Sequence, residues 1–523
     1  MAESGATPDT HQPLHDHGKE RSDSENPEFD MVMSTKSSET SSERPPSLPA
    51  EVTGAGGPDA AAGISMTRTG LYGCSNSRLR HSGRIIWQRS FGNLTVGGIR
   101  HSMLTLTSTA LGGGMLAVSY VMYMCGLGLG IIMLVCGAVL AYLSTVALME
   151  ISHVTGRHTY AGLFSHCAGP LAGPILDAML FIYGNGSCVG YLVFLGDFIP
   201  DLAKLVVPGA PEFWHSRTFA IALSTVILCP LVVVKDVSAL RFMAPVSILT
   251  LFYVSVVIAS RTLVNYKEHR GQADYGELKF FDFNDHIFEA FAICVFAFNC
   301  HLNVVPVAGS LVRPTKARIE KVSYRVNAIQ VCFYMLIACT GYTSFLGRTD
   351  QDILNCYATD DVFMAVARGF LSLTMLVAIP INMVPTVRSG LQFWSFFRPG
   401  AEPLLAPSPP GSPPGSPRSG SSGGTPIPMQ EGPACPRICL ALVCVIVQAL
   451  LAIQIPGVAD VLGLLGASVA TLMMLMIPAY CMGKVLPRTA KSVAKQILLC
   501  FFSLVSFASI PVKILRATKV LGT

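Results

Sequence analysis

The chain has 523 residues, 51% of them hydrophobic and only 13% charged, with a formal net charge of +5. A soluble globular chain carries about 25% charged residues, so this composition excludes an ordinary soluble enzyme or binding domain. The apolar residues are gathered into long runs, and about 20 in succession suffice to cross a bilayer. A polytopic, all-α integral membrane protein is expected.

Residues 1–95 are polar and rich in Ser, Pro and Gly, the composition of a disordered tail. The polar start is unlike a cleavable signal peptide, and none is expected. Acids outnumber bases over residues 1–60, whereas Arg68, Arg78, Arg80, Arg84, Arg89 and Arg100 stand alone in the stretch before the first apolar run. Arginines in that position hold a tail in the cytoplasm. Ile85, Ile86 and Trp87 lie among them, so the segment could also rest on anionic lipid, but a topology signal is the simpler reading. The sequon Asn93-Leu94-Thr95 is then cytoplasmic and silent.

A transmembrane domain over 96–515 follows. Eleven spans are expected, near 102–123, 126–149, 171–196, 218–234, 240–260, 286–311, 322–346, 363–388, 437–455, 457–482 and 493–515. The tight Pro456-Gly457 junction leaves ten or twelve as alternatives. With the tail inside, Lys and Arg concentrate in the inner loops, and the outer loops collect Asp197, Asp201, Asp274, Asp350, Asp352, Asp360 and Asp361. Lys513, Arg516 and Lys519 then fall outside, against the trend, with 516–523 as a short C-terminal tail. The inner loop 401–434, with "APSPPGSPPGSPRSGSSGGTP", is low-complexity linker rather than a domain boundary. The sixteen cysteines lie mostly within spans and show neither Cys-x-x-Cys nor Cys/His metal spacing; small packing residues are expected.

Two spans are disturbed at their centres. The first holds Gly112, Gly113 and Gly114 in a row, each weakening a helix by about 1 kcal/mol relative to alanine. The sixth, five spans on, holds Asn299, Cys300, His301 and Asn303 followed by Pro306, which removes a backbone donor. Broken helices are tolerated in hydrocarbon where the freed backbone faces a cavity, and paired breaks in two inverted repeats mark transporter sites. The pattern predicts a 5+5 inverted repeat plus one span. The competing explanation for the glycines is close helix packing. Half-helix N-termini attract a carboxylate and freed carbonyls an ammonium, and an amino acid backbone carries both. Candidate substrate residues are therefore Ser108, Thr109, Gly112, Gly113, Gly114 and Met115 in the first span, and Asn299, Cys300, His301 and Asn303 in the sixth. His301 and Glu289 are the candidate coupling residues, because histidine titrates near neutrality and a carboxylate in the outer half of a span can favour cations. The bland alternatives are a hydrogen-bonded histidine bracing the break and a structural glutamate. Asp177 is expected to pair locally, and Pro380 and Pro385 to shape span eight.

Several segments resemble one family, the amino acid/auxin permeases. "TALGGGMLAVSYVMYMCGLGLG" resembles their first-span signature, "YGNGSCVGYLVFLGDFIP" their third span, "FAFNCHLNVVPVAGSLVRPTKARIEKVSYRVNAI" their sixth span and inner loop, and "LVAIPINMVPTVRSG" their eighth. The resemblance covers about 95–515, and "GGIRHSMLTL" is similar to protist members. It implies a LeuT-like fold with breaks in helices 1 and 6, and import or vacuolar exchange of amino acids. In sodium-coupled relatives an Asn before the glycines and Thr residues before the first span-eight proline supply sodium ligands. Here those places are Ser108, Leu376 and Ala378, which points toward proton coupling or facilitated exchange.

The reading is an alternating-access amino acid transporter in the plasma membrane or a vacuolar/lysosomal membrane. The second class considered is an amino acid sensor signalling through its tail. An enzyme is not expected, for there is no nucleophile–base motif or paired intramembrane aspartate. No cofactor or metal is expected. The partners are an amino acid, the lipid bilayer and, for symport, protons; nothing points to nucleic acid.

Overall fold

The computed structural model describes residues 97–521 except 111, 210, 234–242, 270–271, 273–274 and 398–433. The tail, its arginines before Arg100, the sequon and the 401–433 linker lie outside them. The chain divides before Trp87, and every described residue belongs to the unit Trp87–Thr523.

The described secondary structure is helical throughout. In chain order come α1 (Ile99–Ala110), a short 3-10 turn (Gly113–Met115), α2 (Val118–Cys125), α3 (Leu127–Thr155), α4 (Tyr160–Ala168), α5 (Ala172–Val206), α6 (Arg217–Val233) and α7 (Met243–His269). There follow α8 (Ile287–Ala297), α9 (His301–Ser310), α10 (Lys316–Phe345), α11 (Val362–Phe396), α12 (Ala434–Gln454), α13 (Val458–Leu465), α14 (Ile477–Val485), α15 (Ala490–Phe507) and α16 (Ser509–Leu521). Between α13 and α14 the chain continues through two π-helical stretches, Gly466–Ala470 and Leu472–Met476.

By length and composition nine described helices can cross a membrane, or ten when α1 and the Gly113–Cys125 segment, bent by 62°, count as one span. The 17-residue α6 is apolar but shorter than the roughly 20 residues that cross a bilayer. Each of the eleven expected segments therefore has a helix, while the count of eleven rests on α6. This is a multi-pass integral membrane protein.

The two disturbed spans sit differently from the rest. The apolar stretch of α8–α9 is 83% buried and that of α13–α14 78%, whereas that of α15–α16 is only 22% buried. The broken sixth span is thus a central element, walled by neighbours that can satisfy its backbone, and the last span is peripheral. α5 lies against α11, while α10 packs on α3 and on both halves of the first span.

Loops join the helices at two faces. On the N-terminal face, Val312 N–H donates to the Gly97 carbonyl at 2.9 Å and the Tyr160 hydroxyl to the Met473 carbonyl at 2.6 Å. On the opposite, far face, the extended 279–282 segment closes the α2–α3 corner. Leu127 N–H donates to Lys279 O at 2.8 Å, and Asp282 N–H to Cys125 O at 2.9 Å. The corner residue Gly126 has φ +86°, and a Cβ there would lie 2.8 Å from the Phe280 carbonyl oxygen. Only glycine meets both conditions.

Candidate functional site

The breaks in the first and sixth spans face each other. α1 ends at Ala110 and α8 at Ala297, and the Tyr334 hydroxyl of α10 lies 2.8 Å from both carbonyl oxygens. The Ala110 carbonyl also accepts from Gly112 N–H at 3.0 Å, and one hydroxyl proton serves one carbonyl at a time, so the Ala297 carbonyl is the one left to another donor when the hydroxyl turns to Ala110. On the other side of the first break the 3-10 turn closes its first bond from Met115 N–H to the Gly112 carbonyl at 3.2 Å. The Gly113 and Gly114 amides precede that bond and have no acceptor within the turn. The break therefore exposes carbonyls at one end and amides at the other.

A cavity of about 30 Å³ opens between them. Thr109, Ala110, Gly112, Gly113 and Gly114 line it from the first span, and Phe296, Ala297, Asn299 and Leu302 from the sixth. Tyr183, Ser187 and Tyr191 of α5 and Asn382 of α11 complete the wall. No charged side chain is in this lining. The volume suits water rather than an amino acid, so a substrate requires side chains to move. Asn299 Nδ2 is buried here without a hydrogen-bond partner, a donor that a ligand could engage.

The three glycines are not equivalent. A Cβ on Gly112 would lie 2.7 Å from the Tyr191 hydroxyl oxygen, and one on Gly113 2.5 Å from the Phe194 ring. A Cβ on Gly114 would lie 2.9 Å from the Ala297 Cα. Gly112 and Gly113 thus bring aromatic side chains onto the backbone, while Gly114 lets one broken span touch the backbone of the other.

Other expected residues serve the breaks without reaching the cavity wall. Ser108 Oγ donates to the Thr105 carbonyl of its own helix at 3.0 Å. Met115 and Cys300 are buried in apolar packing. Asn303 Nδ2 donates to Thr109 Oγ1 at 3.0 Å, bridging the two spans beside the cavity. His301 is fully buried, with Nδ1 3.1 Å from Asn299 Oδ1 and Nε2 2.6 Å from Ser144 Oγ. Asn299 Oδ1 accepts only, so Nδ1 donates to it; Ser144 Oγ has one proton for both Nε2 and the Ala141 carbonyl, which lies 3.1 Å away. Both nitrogens are engaged, and the ring braces the start of α9 against α3.

These features occur on a chain whose residues 95–515 match the family described as transmembrane amino acid transporter protein. The chain belongs to that family. A Toxoplasma gondii protein named as an amino acid transporter, AAT1, is 34% identical over 326 residues, covering 62% of this chain and 43% of that protein. A Plasmodium falciparum protein of the same name is 24% identical, over 82% of this chain and 73% of its own length. The Xenopus laevis sodium-coupled neutral amino acid transporter 7 is 26% identical, over 45% and 53%. The match thus spans less than half of the T. gondii relative. Among solved structures, MhsT in complex with L-phenylalanine superposes with a TM-score of 0.50 at 12% identity, covering 79% of this chain and 97% of that one. At that identity the likeness establishes the shared LeuT fold alone.

Glu289 lies far from this cavity in character. Its carboxylate meets Lys513 Nζ at 2.6 Å and Arg516 Nη1 at 3.3 Å, joining α8 to α16 on the far face. Lys513 also reaches Asp460 at 3.0 Å, and Arg516 reaches Asp285 at 2.6 Å. Two of the late bases that ran against the topology trend, Lys513 and Arg516, are therefore partners of acids. Asp177 lies within α5, away from both breaks. The sequence reading also missed the α5 side of the site. Tyr183, Ser187 and Tyr191 recur at i, i+4 and i+8, which puts them on one helix face; that polar stripe in an apolar span was the available signal.

Proposed function

We propose that the protein is a secondary transporter that moves amino acids by alternating access, binding the substrate backbone at the paired breaks. One observation carries this reading. The Ala297 carbonyl, with that of Ala110 beside it, and the Gly113 and Gly114 amides with the Asn299 amide group converge on one cavity that holds no charged side chain. A zwitterionic backbone needs acceptors for its ammonium and donors for its carboxylate, and helix dipole ends supply both without a buried charge. The family membership and the names of the relatives support the same substrate class.

The coupling reading is that sodium is not required. Leu376 and Ala378 offer no side-chain oxygen, and the Ser108 hydroxyl is spent on its own helix. His301 is a brace in this reading, so a proton effect would act through the stability of the break. The N-terminus is taken as cytoplasmic, which makes the far face the exterior or lumen.

The test is uptake of a labelled amino acid panel into proteoliposomes, with sodium replaced by choline and external pH varied from about 7.5 to 5.5, bracketing the free histidine pKa of ~6.5. Saturable flux that persists in choline is expected. Binding without flux would instead identify a sensor, and a steep sodium requirement would overturn the coupling reading.

A further inference from the structure

A second cavity lies on the far face, with a volume of about 210 Å³. Asp197 in the far third of α5, Asp350, Gln351, Asp352 and Asn355 of the 349–361 loop, and the Pro456–Val458 turn line it. It is several times larger than the cavity at the breaks and differs from it in charge.

Asp352 is the decisive side chain. The residue is 1% exposed, and its Oδ1 accepts from Leu354 N–H at 3.0 Å. Its Oδ2 is buried without any hydrogen-bond partner. A buried carboxylate oxygen left unpaired costs several kcal/mol unless a counter-charge arrives. Burial, with Asp197 and Asp350 close by, pushes this carboxyl well above the usual carboxylate range. Two arginines stand nearby, and the Leu354 N–H and the Arg368 charge pull this carboxyl back down against that rise without cancelling it. Arg217 contacts Asp197 at 3.5 Å and donates to the Pro456 and Ile455 carbonyls. Arg368 donates to the Leu354 and Tyr357 carbonyls at 2.8 Å each, with Nε 3.7 Å from Asp201. Neither arginine hydrogen-bonds the free Oδ2.

We propose that this cavity is a subsite for the cationic side chain of a basic amino acid, an ammonium or guanidinium group held by Asp352 with Asp350. The proposal rests on the transporter reading and adds a substrate class to it. An organic cation fits better than a metal ion, because among the described residues no group of three or more His, Cys, Asp or Glu is arranged to hold one. The site at the breaks has no charged lining, so recognition of a charged side chain has to occur elsewhere. The two cavities are linked along one helix: Asp197 is six residues, ~9 Å, beyond Tyr191 on α5. They are linked again through the loop, where Ile353 N–H reaches the Leu116 carbonyl at 3.5 Å, just past the glycine turn. The subsite is therefore a station between the far face and the break.

The test uses the purified full-length protein and equilibrium binding of labelled L-lysine. Competitors are L-norleucine, which lacks the charge, and 1,5-diaminopentane, which lacks the carboxylate that the breaks would engage. Wild-type protein should bind diaminopentane, and Asp352→Asn should weaken both lysine and diaminopentane by about tenfold or more, since a hydrogen bond to a charged group is at stake. Norleucine binding should be unchanged. Should D352N fail to fold, Asp350→Asn, at an exposed position, should give a smaller loss with the same selectivity. Equal weakening of norleucine, or unaltered lysine binding in the folded variants, overturns the proposal. Failure of diaminopentane to bind while amino acid flux is present sinks the subsite alone. Diaminopentane binding that is lost in D352N, without flux of any amino acid, sinks the transporter reading and leaves the subsite standing.

Discussion

The cavity at the breaks and the far face solve the problem of polar groups in a membrane protein in opposite ways. At the breaks the polar atoms are backbone dipoles, hydroxyls and amides, and the cavity lining carries no charge. At the far face acids and bases are packed together: Glu289 with Lys513 and Arg516, Arg261 with Asp361 at 2.9 Å, and Asp197 with Arg217. The difference is physical. An ion at mid-membrane is expensive, whereas near the interface it is screened and solvated. Recognition of what all amino acids share can thus be done by dipoles at depth. Discrimination between side chains by charge belongs where charges are tolerated.

The largest test of this contrast is at Gly114. A valine there must displace the Ala297 backbone, which lies 2.9 Å from where its Cβ would sit. Overpacking of this kind costs about 1–3 kcal/mol, and here it falls on the joint between the two breaks. Uptake by Gly114→Val should fall by roughly tenfold or more at equal protein in the membrane. Gly112→Ala meets only the far end of Tyr191 and should lose less. Equal losses in both variants would show that the glycines act through general packing rather than through this backbone contact.

Tyr334→Phe comes next. It removes the hydroxyl between the Ala110 and Ala297 carbonyls while keeping the ring packed on Phe298 at 5.0 Å between centroids. Leaving a buried acceptor unpaired costs about 1–3 kcal/mol. Thermal stability should drop accordingly, and saturating amino acid should recover part of it, because an ammonium can take the hydroxyl's place. A stability loss that ligand does not reduce would separate Tyr334 from the substrate path.

The breaks were legible in the sequence because their cause is local. Three consecutive glycines and the Asn-Cys-His-x-Asn run before Pro306 disrupt a helix wherever it packs. Roles that depend on which spans meet were not legible. Glu289 stood open between a coupling and a structural role, because its partners, Lys513 and Arg516, lie on the last helix and come to it only through folding. His301 stood open between a proton-sensing and a bracing role, because Ser144, on α3, is remote in sequence. The α5 stripe of Tyr183, Ser187 and Tyr191 was visible as a pattern, yet only packing against the breaks gives it a role.

The far-face charges should matter less for stability than the breaks. Lys513→Met leaves Glu289 with Arg516 alone. The Lys513 side chain is 27% exposed, so the loss belongs nearer the range of surface pairs, about 1 kcal/mol, than that of buried ones. The double variant with Glu289→Gln should recover most of it, because the carboxylate that lost one of its two cationic partners is then gone. A double variant less stable than either single one would mean that the helices are held by something other than this pair.

The smallest expected effect is at Ser108, and it bears on coupling. The family resemblance implies an asparagine ion ligand at this place in sodium-coupled members, so a serine ligand would make Ser108→Ala shift the sodium dependence of uptake. In this protein the hydroxyl donates to the Thr105 carbonyl one turn back and does not line the cavity. A hydroxyl bonded to its own helix contributes little, since that carbonyl keeps its place in the helix without it. Ser108→Ala should therefore change initial uptake by no more than about twofold, the effect of about 0.5 kcal/mol typical of substitutions away from special features. The measurement is initial uptake at several sodium concentrations, with choline as the balance. A flat response in both proteins is expected. A sodium response present in the wild type and absent from the variant would make Ser108 a ligand, and it would require the first span to turn so that its hydroxyl leaves Thr105 for the ion.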